Sequence, residues 1–409
     1  FTVAMLAVYR LLVFIPIPFA DISVLVNHTL NAGSDFGYFV MLLGGALDQF
    51  AFIAIGISPY ITASIIMELL AATFPNLGKM KKDRDGMQKY MQIIRYATIV
   101  ITLVQAVGVS MGLQSLHGRG GENAIMIDMN LFIAISAVSM LTGTMLLMWI
   151  GEQITQRGIG NGISLIIFAG IVSGIPSAIG GTVNLVNTSE MNFLTVIAIL
   201  VIILATIGAI IFVEMGERRI PISYSRKVIM ENQNKRIMNY IPIKVNLSGV
   251  IPPIFASAIL MFPSTILQAS TNPVIQAIND FLSPNGYMFN VLTFLFIIFF
   301  AFFYASIVFN TKDISENLKK QGGFIPGVRP GESTASYLNE VAGRLTLGGA
   351  LYLGIISTLP WVLVKTMGVP FYFGGTSVLI VVSVALDTMR RIEAQSYTNK
   401  YQTLSAVGL

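Results

Sequence analysis

The chain contains no cysteine and only two histidines, His28 and His117. That excludes disulfides, thiolate nucleophiles and cysteine-ligated metal sites, and it removes most imidazole chemistry. Charge is scarce too. Asp, Glu, Lys and Arg make up 11% of the 409 residues, against about a quarter in soluble domains. With 54% hydrophobic residues and a mean hydropathy of +0.75, this is the composition of a polytopic membrane protein.

No catalytic constellation emerges, and neither a cofactor nor a bound metal is expected. Gly158-Ile159-Gly160-Asn161-Gly162 has the glycine density of a phosphate loop. No strand precedes it and no Gly-Lys-Ser/Thr follows, so it reads as a loop entering a membrane span. Gly162-Ile163-Ser164 faintly resembles the serine of intramembrane proteases, but both histidines lie in external loops, where they cannot activate it. The protein is not expected to be an enzyme.

What the sequence does have is long apolar runs. Ten spans are expected at 1–18, 51–73, 92–113, 129–150, 160–180, 192–213, 248–269, 289–310, 346–366 and 370–388. The chain opens directly in apolar sequence with no signal-peptide cleavage pattern. The expectation is that the native chain has a cytoplasmic stretch before Phe1 and continues past Leu409.

Lys and Arg sort onto one side of this arrangement. The loops after spans two, four, six and eight hold cations such as Lys79, Lys81, Arg157, Arg218, Arg219, Lys312 and Arg344, and the tail holds Arg390 and Arg391. The opposite loops hold Asp21, Asp35, Asp48, Glu122, Asp128, Glu190 and Asp280, with Arg119 their clear cation. By the positive-inside rule, both ends of the chain face the cytoplasm.

Ten spans divide into two sets of five, and an odd number per half gives the halves opposite orientation. The expected fold class is therefore all-α, with an N-terminal half at 1–180 and a C-terminal half at 181–409. Two cytoplasmic loops, about 214–246 and 311–345, interrupt the second half. In the first, RRIPISYSRKVIM and RIMNYIPIKV partly alternate around a polar ENQNK, which predicts a β-hairpin. In the second, GGFIPGVRPGEST predicts a shaped turn displaying Arg329.

The stretch 42–70 concentrates the unusual features. A glycine pair (Gly44, Gly45) and a polar patch (Asp48, Gln49) precede about twenty mostly apolar residues interrupted by Pro59. The leading part is too short to cross a bilayer, so it reads as a half-helix or an interfacial lead-in. Ionisable residues inside spans are few: Arg10, Glu68 and Asp387, each costing roughly 3 kcal/mol at the bilayer centre unless partnered. Arg10 and Glu68 are expected to pair within the bundle or to line a cavity. Ile57 and Ile61 share a helix face at i, i+4, as do Ile163 and Ile167. Ile254 follows Pro252-Pro253, and Ile380 sits in span ten. An apolar ring gates by dewetting and offers an ion no ligands, but spacing alone suits lipid or helix contacts equally well.

From Ile15 onward the sequence resembles the bacterial SecY family, central subunits of the protein-conducting channel. The resemblance rests on FIPIP (14–18), GGAL (44–47), PYITASII (59–66) and MLTGTMLLMWIGEQITQRGIGNGISLIIFAGIV (140–172). It continues in KVNLSGVIPPIFASAI (244–259), NLKKQGGFIPGVRPGEST (317–334) and VPFYFGGTSVLIVV (369–382). The chain departs in the external loops and the hairpin tip, and Glu68 is more acidic than expected for the family.

The resemblance implies a pore ring at Ile57, Ile61, Ile163, Ile167, Ile254 and Ile380. It implies a plug at about 37–50 containing Gly44, Gly45, Ala46, Leu47 and Asp48, and a lateral gate between spans two and three and spans seven and eight. It implies docking of the SecA motor or of ribosomal RNA phosphates at Arg329, Lys319, Lys320, Arg218 and Arg219, and at Lys235 and Arg236 on the hairpin tip. Small membrane subunits SecE and SecG are implied partners, unfolded secretory and membrane proteins the implied cargo, and the bacterial inner membrane the implied location. The competing reading is a secondary transporter, which also uses broken helices and inverted halves.

Overall fold

The computed structural model describes residues 1–19, 51–114, 127–187, 192–224, 239–267, 286–367 and 375–406. These are mostly helical: α1 (Thr2–Leu12), α2 (Ser58–Thr73), α3 (Pro75–Lys82), α4 (Arg84–Gln114), α5 (Met129–Arg157), α6 (Gly162–Asn187) and α7 (Phe193–Met215). Strands β1 (Glu217–Tyr224) and β2 (Asn239–Lys244) separate these from α8 (Ile251–Leu267), α9 (Tyr287–Val308) and α10 (Thr311–Lys320). Strand β3 (Gly323–Phe324) leads into α11 (Glu332–Met367) and α12 (Gly375–Ala406). Among the described residues, α4, α5, α7, α9 and α11 are long and apolar enough to cross a membrane. The pair α2–α3 makes a sixth if its 115° bend lies within one span, and α1, α6 and α8 contain shorter apolar stretches.

Helix limits follow local chemistry. Asn192 caps α7 by accepting from the Leu194 N–H at 3.3 Å, and Asn310 caps α10 by accepting from Lys312 and Asp313. Pro75 opens α3, where its missing N–H costs nothing. The same logic corrects the expectation for span two. Pro59 stands at the start of α2 instead of interrupting it, and 51–57 is a run of turns with Gly56 at φ 64°.

Two other limits move outward. Helix α11 begins at Glu332, several turns before the expected span at 346, and α12 continues far past 388 through its charged residues. A helix propagates into water at little cost once an apolar segment has nucleated it.

The predicted hairpin is present in its two strands, antiparallel, with Glu217 opposite Lys244 and Ile222 opposite Asn239. Its tip lies outside the described residues. The Val245 N–H donates to Gly216 O at 3.0 Å, and that bond sets the phase of the ladder. Pro242 and Pro221 consequently fall at positions whose nitrogens point away from the partner strand. The sequence did not disclose the third strand: β3, from the second loop, pairs antiparallel with β1 through Ser223–Phe324 and Tyr224–Gly323. Ile220, Ile243, Ile325 and Leu338 form a small core beneath this sheet, so both loops share one folded unit.

In the main bundle, α5 meets the 51–57 turns at Gly143, where a Cβ would overlap Phe52 O. We expect Gly143→Ala to lower the unfolding temperature in detergent, by an overpacking cost of about 1–3 kcal/mol. Gly174→Ala, in open space on α6, should leave it unchanged or slightly higher. An unaffected Gly143→Ala protein would refute the close approach.

Candidate functional site

Six helices and the turn before α2 converge on a cavity of about 90 Å³. Ile57, Ile61, Ile167, Ile254 and Ile380 all border it, from the start of α2, α6, α8 and α12. Ile163 does not. It stands one turn earlier on α6, its side chain near Gly151 of α5, although it packs against the same apolar cluster. Ile166 and Ile171 complete the lining on α6, with Tyr9 from α1 and Leu147 from α5. Ser58, Ser257, Thr376 and Ser377 also line it. Helical spacing from Ile167 could have flagged Ile171, but nothing in the sequence signals that α12 meets α6.

The turn run positions Ile57. Its backbone is buried yet satisfied: Phe52 N–H donates to Ile15 O at 3.0 Å, and Gly56 N–H to Ile53 O at 2.8 Å. Thr144 of α5 donates its hydroxyl to Gly56 O at 3.2 Å. On the other side, Gly160 at φ 95° lets the chain reverse into α6, and Asn161 accepts from the Ile163 and Ser164 amides as a cap. The glycine-rich segment therefore serves the fold, as its sequence context suggested. Gly44, Gly45, Ala46, Leu47 and Asp48 lie outside the described residues.

The second candidate surface is the three-stranded unit. Arg329 is exposed on the turn between β3 and α11. Gly327 and Gly331 take positive φ there, at 84° and 107°, and Gly322 does so just before β3, at 70°, which other residues resist. Two buried hydroxyls pin the turn: Thr334 donates to Arg329 O at 2.9 Å and Ser315 to Gly331 O at 2.6 Å. Lys319 and Lys320 are exposed in the last turn of α10, where cations also complement the helix dipole. Arg218 is exposed on β1, whereas Arg219 lies over the Tyr240 ring at 4.9 Å and approaches Glu217 at 3.9 Å. Lys235 and Arg236 lie outside the described residues.

Ionisable groups within the bundle are partnered locally. Glu68 takes Lys81 of α3 at 2.5 Å, and the Arg10 guanidinium lies 5.6 Å from the Phe14 ring centroid. Asp387 pairs with Arg391 one turn on. Arg95 of α4 donates to both carboxylate oxygens of Glu152 on α5, at 2.9 and 2.7 Å. Sequence reading also missed Glu214, which accepts from Asn246 at 2.8 Å and from Ser383 at 3.3 Å. Its partners lie 32 and 169 residues away in the chain, so no local pattern could mark it.

Thr334→Val should loosen the Arg329 turn by about 1 kcal/mol, the worth of one hydrogen bond. Limited proteolysis across 325–331 is the measurement. Faster cleavage than in the parent, with Thr334→Ser protected, is expected; equal protection of the Val variant would remove the hydroxyl's role.

A family model described as SecY matches residues 51–389. The protein translocase subunit SecY of Helicobacter pylori (strain ATCC 700392 / 26695) is 68% identical over 409 residues, covering 100% of this chain and 97% of that protein. The subunit of the same description from Escherichia coli (strain K12) is 42% identical over 414 residues, with 98% and 92% covered. Among solved structures, a protein-conducting channel superposes with a TM-score of 0.66 at 19% identity, over 97% of this chain and 91% of that one. Sec61 from the canine ribosome–channel complex of the endoplasmic reticulum gives 0.63 at 17% identity, with 97% and 91% covered. At these identities the structural likeness speaks for the fold.

Proposed function

The chain belongs to the SecY family, and on that premise we propose that it is the channel subunit of a protein translocase. It is a multi-pass membrane protein, and in this reading it spans the bacterial inner membrane ten times with both termini in the cytoplasm. Unfolded secretory proteins pass through it, and apolar segments leave sideways into lipid. The observation that carries the reading is the convergence of five isoleucines, from four separate helical elements, on one cavity. Branched apolar side chains can part around an extended polypeptide of any sequence, yet they give ions no ligands and favour dewetting when closed. A secondary transporter would instead gather ionisable groups at such a site. Here Glu68, Asp387 and Glu152 are each held by neighbouring cations and do not line the cavity.

The remaining assignments belong to the same proposal. The gate lies where α8 packs on α2 and α4, with α9 behind it. The halves are 1–180 and 181–409, with SecE and SecG as small membrane partners. The segment 37–50 is the plug, and Arg329, with Lys319, Lys320, Arg218, Arg219, Lys235 and Arg236, meets the SecA motor or ribosomal RNA phosphates. The chain performs no chemistry; the motor, the ribosome or the membrane potential supplies the energy. A signal segment opens the gate by binding the open state better than the closed one.

The absence of cysteine makes the test clean. Ile167→Cys, bordering the cavity, should form a disulfide with a single-cysteine secretory precursor stalled in transit. Phe212→Cys, 82% exposed on α7, should not. Capture at Phe212 alone, with transit intact, would move the path out of the cavity. Deleting 37–50 should raise the resting ion conductance of channel-containing vesicles; an unchanged conductance counts against the plug.

A further inference from the structure

The folded unit made by the two loops meets the bundle at a part-buried polar joint, and Glu214 is its centre. The residue ends α7 immediately before β1. Its Oε1 accepts from Asn246 Nδ2 at 2.8 Å, and Asn246, 3% exposed, lies just after β2. Glu214 therefore clamps the two roots of the hairpin together. The same Oε1 accepts from Ser383 Oγ at 3.3 Å, and Arg390 Nη2 donates to Glu214 O at 3.3 Å. Both belong to α12, where Ser383 follows the cavity residue Ile380 by one helical turn. Asn246 also donates to Gly249 O at 3.1 Å and accepts from Ser248 at 3.2 Å. These bonds shape the turn, with Gly249 at φ 62°, from which α8 starts. One carboxylate thus holds the hairpin, the start of α8 and the cavity face of α12.

A second observation stands beside it. The hydroxyl of Tyr352 on α11 is buried and makes no hydrogen bond among the described residues. Helix α11 packs on both α7 and α12, and Tyr352 lies against the apolar cluster that contains Ile210, one turn before Glu214, and that Val382, the neighbour of Ser383, also touches. A buried hydroxyl without a partner costs stability, and a carboxylate has a second oxygen with which to receive it. An unmet donor on a helix packed beside the one that carries Glu214 is what a second arrangement of the joint would use.

We propose that Glu214 is a two-position relay between the docking unit and the pore. In the closed arrangement it holds Asn246 and Ser383. When a partner displaces the three-stranded unit, the Asn246 bond breaks, Tyr352 donates to the carboxylate in its place, and the start of α8 is released to move. Glu214, Asn246 and Tyr352 are positioning residues: they touch neither cargo nor partner. This rests on the channel reading above.

The test uses the full chain with its companion membrane subunits in vesicles, purified SecA and a secretory precursor, with SecA affinity and maximal transit rate read separately. Tyr352→Phe is the discriminating variant. If the hydroxyl were only a structural fault, its removal would leave the protein as stable or more so, with full transit. The relay predicts an unfolding temperature no lower than the parent's and unchanged SecA affinity, with a transit rate lower by roughly ten-fold, the scale of one charge-assisted hydrogen bond. Glu214→Ala should lower the rate at least as far, and Glu214→Gln, which keeps an acceptor oxygen, should restore most of it. Arg329→Glu should show the opposite split, losing SecA affinity. A Tyr352→Phe protein with full transit overturns the relay, as does a Glu214→Ala protein whose rate falls only in step with its SecA affinity. An unmodified chain that binds SecA yet moves no precursor overturns the channel reading and the relay with it.

Discussion

A chain with so little polar surface must satisfy its backbone hydrogen bonds from within, and irregular backbone inside the bundle is tolerable only where neighbours supply the partners. The segment 51–57 meets that condition. Ala51, Ile53 and Ala54 are essentially fully buried, yet their stretch draws bonds from Ile15 after α1, from its own turns and from Thr144 of α5. Gly143 lacks the Cβ that would keep α5 from coming so close. Because this segment is fixed, α2 starts at Ser58 and Ile57 faces the cavity. A regular helix through 51–57 would aim these side chains differently.

Much of this was legible in the sequence. Hydropathy located nearly every apolar helix, and period-2 alternation found both strands of the hairpin. The isoleucine pairs were marked by their i, i+4 spacing and the family resemblance drew the others to them, but Ile57 stands in the turn before α2 and so shares no helix face with Ile61. What stayed hidden was long-range. The pairing of β3 with β1 depends on two residues too short to carry a strand signal. The start of α11 was obscured because Glu332 to Arg344 looks polar enough for a loop. The place of Ile163, one turn off the cavity, depends on how α6 rests on α5, which no local pattern encodes.

Ionisable residues show the same division. Composition says that charges inside spans need partners, and the structure supplies them from short range for Glu68 and Asp387. For Glu152 and Glu214 the partners come from distant parts of the chain. Sequence can count such debts but cannot name the partner, because a buried carboxylate is satisfied by whichever donor the tertiary fold brings near. The pairs also fix helices against one another at little cost in apolar area, leaving the cavity lining to aliphatic side chains.

The two prolines of the hairpin carry a consequence for the company such a protein keeps. Its proposed traffic consists of polypeptides still seeking backbone partners, and a bare strand edge is a template for them. Pro242 removes a donor from the outer edge of β2, and Pro221 does the same on the side where β3 makes its brief pairing. A passing strand that tried to extend this sheet would meet a gap in the ladder on either side. Under the proposed function, this β platform can stand beside the channel entrance without becoming a nucleus for aggregation of the chains that pass it.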